Sequence, residues 1–264
     1  IYCYGNSRKK IKNKYKNFFY SAYNKSILDK SFEIKKDCEV FIHAATNTSE
    51  KKNFKGINVN KNIDKKIFKL IKKHPKIKKL IFISTVAIYS KKNLHQLNEN
   101  VKKLDNSIYS KIKFHSEKMF SSLKKIKVYN LRIPGTLCTG KENNFLSNMV
   151  SNIKKKQMIN YYNPNNSFNN VILVEKLNQF IYQLIKSDYK SGTILLGSSS
   201  PIKIKSIVHL IESFYKIKIK INWIYKKEGF FLNISNAINN YNYKPYKTKY
   251  SIIKYLKTEN NKYI

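Results

Sequence analysis

Residues 80–89 read LIFISTVAIY. Four apolar side chains in succession, two of them β-branched, make a strand covered on both faces, the kind a parallel sheet with helices on either side requires. At ten residues it is about half of what a membrane span needs. The polar pair Ser84–Thr85 falls toward its carboxyl end, the edge at which open α/β sheets place their ligands.

Outward from this strand the pattern alternates. Downstream, a helix-period segment from Tyr109 to about Leu123 leads to an apolar strand over residues 127–133, which Pro134 and Gly135 interrupt. Upstream, a helix over about 58–73 follows a strand over 38–45 (CEVFIHAA), with shorter strand-like runs at 18–22 and 1–5. Strands and helices in turn specify an α/β fold with a mainly parallel sheet. The remainder continues with a helix at 145–156, a polar loop at 162–170, a strand at 171–174 and a helix to Ser187. After these come a strand at 193–197, a helix-period segment at 202–215, a strand at 219–225 and a short helix at 250–257.

Composition sets limits on function. The formal net charge is +38, which clustered on one face would indicate nucleic acid or an anionic surface. Of 53 basic residues, however, only Arg8 and Arg132 are arginine, and the lysines run along the whole chain among abundant Asn, Ile, Tyr and Phe. Nucleic-acid readers favour arginine's bidentate fork and gather their cations. The lysines are therefore read as a solvated surface, with neither nucleic acid nor membrane as partner. Three widely spaced cysteines with no CxxC pair give neither a disulfide framework nor a zinc site, and a reducing cytoplasm is the expected setting. His43 and His115 lack metal-ligand spacing with Cys, Asp or Glu and are expected to be structural.

Tyr109 and Lys113 stand one turn apart, so both project from one helix face. A phenol with an ordinary pKa of about 10 becomes a usable base only where its phenolate is favoured, and a lysine one turn away offers the positive charge. The spacing alone is weak, because chance predicts about four copies in so lysine- and tyrosine-rich a chain. Tyr182–Lys186, Tyr243–Lys247 and Tyr250–Lys254 share it. Only Tyr109 follows a buried strand with a hydroxyl at its end and precedes a strand and turn, VYNLRIPG.

In that frame the chain resembles the extended short-chain dehydrogenase/reductases, the NAD-dependent epimerase/dehydratases. DCEVFIHAA (37–45) resembles the family's D-x-V-I-H-x-A-A strand, Asn58–Val59 the Asn-Val that opens its next helix, and ISTVAIYS its strand ending S-S/T-x-x-x-Y-G. YSKIKFHSEKM resembles the Y-x-x-S-K-x-x-x-E helix, with Tyr109, Lys113 and Glu117 in place, while Glu99 matches the acid before it. LRIPGT, FNNVILVEKL, GTILLGSSSPIKIKSIVHLI and SNAINNYNYKP resemble later family segments in order.

The resemblance implies a Rossmann-like doubly wound parallel sheet with a smaller C-terminal α/β substrate lobe. Residues 1–140 would be the dinucleotide-binding domain and 141–264 the lobe, with about 168–198 returning to the first. It implies catalytic roles for Thr85, Tyr109 and Lys113, with Ser84 in place of Thr85 if the register slips by one. Cofactor contacts would come from Ala44, Ala45, Asn58, Tyr109, Lys113, Pro134 and Arg8. The activity implied is NAD(P)-dependent epimerisation or reduction of a sugar or nucleotide sugar. The competing expectation is a non-catalytic NAD(P)-binding relative with a regulatory or scaffold role. A homodimer is compatible with either.

Departures narrow this. No GxxGxxG is present, although the fold uses it to seat the pyrophosphate on a helix N-terminus. If residues 1–5 are the second strand, a first strand, glycine loop and helix of about 30 residues would precede them. Val86–Ala87 replace the Asp-Glu pair of sugar-nucleotide 4,6-dehydratases, which argues against that reaction. Leu173 and Lys176 replace a frequent His and Asp, and no arginine stands near Asn169 to grip a diphosphate. Arg8 near the end of the 1–5 strand, with no acid there, leans the cofactor toward NADP.

Overall fold

A computed structural model of the chain describes residues 2–5, 21–24, 26–46, 54–90, 95–101, 105–138, 144–155, 158–225 and 229–260. β1 (Tyr2–Gly5) and β2 (Ser21–Asn24) form a parallel pair. Next come β3 (Val40–His43), α1 (Phe54–Lys73), β4 (Lys79–Thr85), β5 (Gln96–Leu97), α2 (Ile108–Ser121) and β6 (Lys127–Ile133). After Pro134 the chain continues as β7 (Gly135–Leu137), α3 (Phe145–Lys154), β8 (Ile159–Tyr162), β9 (Ser167–Phe168), β10 (Val171–Leu173) and α4 (Val174–Lys186). It ends with β11 (Gly192–Leu195), β12 (Ile202–Lys203), α5 (Ile204–Tyr215), β13 (Ile221–Ile224), β14 (Phe231–Leu232), α6 (Ser235–Tyr241) and α7 (Thr248–Asn260).

The central sheet has the order β11-β6-β4-β3, every pair parallel. Its side chains alternate as the pleat demands. Leu80 and Phe82 of β4 and Val128 of β6 meet Ile67 and Ile71 of α1 and Phe120 of α2 on one face. Ile81, Tyr129, Leu131 and Ile194 meet Leu177, Phe180 and Leu184 of α4 on the other. Both faces are thus covered by helices, which is why β4 can be apolar without alternation, and the fold is the doubly wound Rossmann type.

Pro134 ends β6, but only for one residue. β7 then pairs in parallel with β10, so the interruption moves the chain to another sheet rather than into a loop. α3, α5 and α7 enclose a second core around Leu146, Met149, Ile153, Ile207, Ile211 and Ile252. The pairs β8–β13, parallel, and β9–β12, antiparallel, border it. α1 begins four residues before Asn58, so that residue lies inside the helix and does not open it. Among the described residues no helix is long and apolar enough to cross a membrane.

Candidate active site

β3, β4 and β6 run parallel, so their carboxyl ends open on one edge. β3 delivers His43 and then Ala44, exposed, and Ala45, half-buried; β4 delivers Thr85; β6 delivers the buried Pro134. The Thr85 backbone is extended and its Oγ1 accepts a hydrogen bond from the Ala87 amide at 3.1 Å, capping the single 3-10 turn Val86–Ile88. Ser107 caps α2 by accepting from the Ser110 amide, and Ser110 Oγ donates to the Ala87 carbonyl at 2.6 Å. The start of α2 is thereby fixed against the turn after β4. Tyr109, one residue before Ser110, is brought to Thr85.

Burial pushes the Tyr109 phenol above its ordinary range, a hydrogen bond with Thr85 pulls it back, and the Asp64 carboxylate adds to the rise. The expected lowering by Lys113 is not found. Lys113 is itself buried, and burial lowers its ammonium pKa against the opposing pull of Asp64 and Glu117. Its Nζ donates to Thr46 Oγ1 at 2.8 Å and to the Ile83 carbonyl at 3.3 Å, and lies 4.7 Å from the centre of the Phe82 ring.

The structure brings Thr85, Tyr109 and Lys113 to this edge together with Ala44, Ala45 and Pro134. Nothing is described of the Asn58 side chain, and Arg8 lies outside the described residues. Ser84 points to the opposite face from Thr85, as strand alternation requires, and its Oγ donates to Glu117 Oε1 at 2.6 Å. It is spent on a buried network. Arg132 donates to both oxygens of Glu117, at 3.0 and 3.2 Å from Nε and 2.7 Å from Nη2, and to the Tyr89 hydroxyl at 2.6 Å.

Glu99, matched by pattern to an acid before the tyrosine helix, joins distant segments here. Its Oε1 accepts from the Leu195 amide at 2.8 Å and from Asn236 Nδ2 at 2.9 Å. Asn169 is likewise consumed: its amide donates to the Ser198 and Leu232 carbonyls and its Oδ1 accepts from the Leu232 amide. Sequence reasoning missed a third network, in which His43 Nε2 meets Asp64 Oδ1 at 2.7 Å and Ser116 Oγ bonds the other Asp64 oxygen. One signal was available. Asn60, Asp64, Ile67 and Ile71 form a single buried stripe on α1, and an acid on such a stripe needs partners.

A doubly wound parallel sheet with a threonine, a tyrosine and a lysine gathered at its carboxyl edge is the arrangement of a Rossmann-type dinucleotide enzyme. The model of the NAD dependent epimerase/dehydratase family matches residues 4–193, and the chain belongs to that family. Among solved structures it is similar to UDP-glucuronic acid 4-epimerase from Bacillus cereus in complex with NAD, at 16% identity over 93% of this chain and 82% of that one, with a TM-score of 0.77. It is similar to UDP-N-acetylglucosamine 4-epimerase from Methanobrevibacter ruminantium M1, at 17% identity over 92% and 84%, TM-score 0.76. ADP-L-glycero-D-manno-heptose-6-epimerase from Helicobacter pylori follows at 14% identity over 90% and 79%, TM-score 0.73. No curated protein matches the sequence.

Proposed function

We propose that the chain is an NAD(P)-dependent epimerase or reductase acting at a hydroxyl or keto carbon of a sugar or nucleotide sugar. The observation that carries this reading is the approach of the Tyr109 phenol to Thr85 at the sheet edge, with Lys113 on the same helix face. Support comes also from family membership and from the nucleotide-sugar epimerases whose fold it shares.

The residues fit the ribose and nicotinamide half of the cofactor. Lys113 is a buried cation whose hydrogen-bond partners are a hydroxyl and a carbonyl, neutral oxygens that ribose hydroxyls can replace or extend. Ala44 and Ala45 carry nothing beyond Cβ, leaving the end of β3 open to close approach, and Pro134 flanks the end of β6. When bound, the nicotinamide supplies a hydride donor or acceptor, and the protein supplies geometry.

Thr85 would share a hydrogen bond with the substrate oxygen, orienting it on Tyr109. Tyr109 would take the proton from that oxygen as the carbon is oxidised and return it on reduction, a general acid/base role. Its raised pKa keeps it a phenol at neutral pH, poised to donate. Leu173, Lys176 and the occupied Asn169 leave the sugar unselected by any arginine grip in this part of the chain.

The test is Tyr109→Phe, assayed for NAD(H) and NADP(H) binding by calorimetry and for turnover over a panel of UDP- and ADP-sugars. Expected is a fall in kcat of about 10²–10⁴-fold with cofactor affinity within a few-fold of wild type. Wild-type turnover in the variant would overturn the assignment. Cofactor binding without turnover in both proteins would favour the non-catalytic relative.

A further inference from the structure

Asp64 lies on the buried stripe of α1 between Asn60 and the isoleucines Ile67 and Ile71, and it is 3% exposed. Its two oxygens are divided between two other elements: Oδ1 takes His43 on β3, Oδ2 takes Ser116 on α2. Ser116 lies three residues beyond Lys113, on the buried face of α2 that carries Ser110, Lys113, Glu117 and Phe120. The pin therefore acts on the helical turn that positions Lys113, and Tyr109 lies one turn before it.

The charge state of this cluster follows from its hydrogen bonds. A carboxylate only accepts, so His43 Nε2 carries the proton in its bond to Asp64. His43 Nδ1 is buried with no partner. A second proton there would be a donor without an acceptor, at a cost of about 1–3 kcal/mol. The Phe82 and Phe120 rings that enclose it, at 5.2 and 5.7 Å, offer no acceptor either. His43 is accordingly neutral, in agreement with the downward push of burial on its pKa. It gives Asp64 a hydrogen bond and no charge.

Of the described buried carboxylates, Glu212 lies on α5 in the second core, and Glu117, on α2 beside Asp64, has its own cation in Arg132 at 2.7 Å. That leaves Asp64 as the first of the two carboxylates acting on Lys113, whose own hydrogen-bond partners are neutral, with Glu117 second and already held by Arg132. The lysines of the α1–α2 groove, Lys61, Lys65 and Lys111, and His115 beside them stand around Asp64 at the surface end.

We propose that Asp64 is a positioning residue of the site: its carboxylate is the counter-charge of Lys113 and, through Ser116 and His43, the pin that holds α2 against α1 and β3. The role assigned to Lys113 rests on the function proposed above, whereas the charge pairing does not. Asp64 touches neither substrate nor cofactor in this scheme. It keeps Lys113 charged in a place where burial alone favours the neutral amine.

The pairing is tested by competitive acetic-anhydride labelling of the full chain, read peptide by peptide by mass spectrometry across pH. The midpoint of the labelling curve reports the Lys113 pKa, and the plateau reports its accessibility. In Asp64→Asn the Lys113 midpoint should fall, while the labelling of Lys79, which binds backbone carbonyls, is unchanged. Ser116→Ala keeps the carboxylate, and there the plateau should rise without a shift of midpoint. A folded Asp64→Asn protein with an unmoved Lys113 midpoint would overturn the proposal, as would equal midpoint shifts in both variants.

Should Asp64→Asn fail to fold, Lys113→Met provides the reciprocal reading. Loss of the cation leaves the buried Asp64 carboxylate without its counter-charge, so the urea midpoint of the variant should fall below that of the wild type, and an unchanged urea midpoint overturns the pairing. A wild-type protein that binds cofactor yet turns over no sugar nucleotide would sink the proposed function and leave these labelling results to stand.

Discussion

Arg132 is one of two arginines in a chain with 53 basic residues, and its place explains why a lysine would not serve. Its fork spans both oxygens of Glu117 and also reaches the Tyr89 hydroxyl, with the side chains of the ion pair 5% and 4% exposed. A lysine ammonium is a point charge with no planar fork. Tyr89 itself is pushed by burial up to about 12, so it stays a neutral donor and acceptor in the network. Replacing Arg132 by methionine strands the Glu117 carboxylate in the layer between α2 and the sheet. The expected loss is about 3–5 kcal/mol, measured as a lower urea midpoint, and Glu117→Leu added to Arg132→Met should recover much of it. A single variant with the wild-type midpoint would show that the pair is not buried. The pattern YSKIKFHSEKM made Glu117 visible and LRIPG made Arg132 visible, but their pairing was not legible. It depends on β6 and α2 meeting face to face, which neither segment states alone. His43 and Asp64 were hidden for the same reason: each looks unremarkable until β3 lies against α1.

At the scale of elements, what could be read is what carries a period. α1, β4, α2 and β6 each hold enough buried side chains in helical or strand spacing to declare themselves, and they fix the sheet edge where the site lies. The strands that went unread, β5, β7, β8, β9, β12 and β14, are two to four residues long and exist because a distant partner supplies the register, as Phe231 does for Gln96. α6 was hidden by its asparagines, which are weak helix formers in isolation. Both α5 and α6 close on a residue in the left-handed region, Lys216 at φ 54° and Asn242 at φ 50°. Asparagine tolerates that conformation, but lysine is strained by its Cβ. Lys216→Gly should therefore stabilise the protein by up to about 1 kcal/mol, seen as a higher denaturation midpoint with unchanged m-value. A lower midpoint would mean that the lysine's own contacts outweigh the relief at the helix end.

For the whole molecule the question is how 53 basic and 15 acidic residues share one surface. Exposed ion pairs among the described residues, such as Lys78 with Glu39, can neutralise only a small part of that excess, and each is worth little. With 53 basic residues against 15 acidic ones, the net repulsion among the lysines opposes the compact state. Salt screens exposed charges beyond about 10 Å at 0.1 M, whereas the buried Arg132–Glu117 contact lies well inside that distance and away from solvent. Added salt thus relieves the repulsion and leaves the attractions that hold the site largely intact. The melting temperature should rise by several degrees between about 20 and 500 mM NaCl, where surface pairing in a charge-balanced protein would leave it flat or lower it. A scan of thermal unfolding against NaCl decides this. A melting temperature that falls with salt would mean that the lysines are paired by groups beyond these contacts, and that the positive surface stabilises the fold instead of working against it.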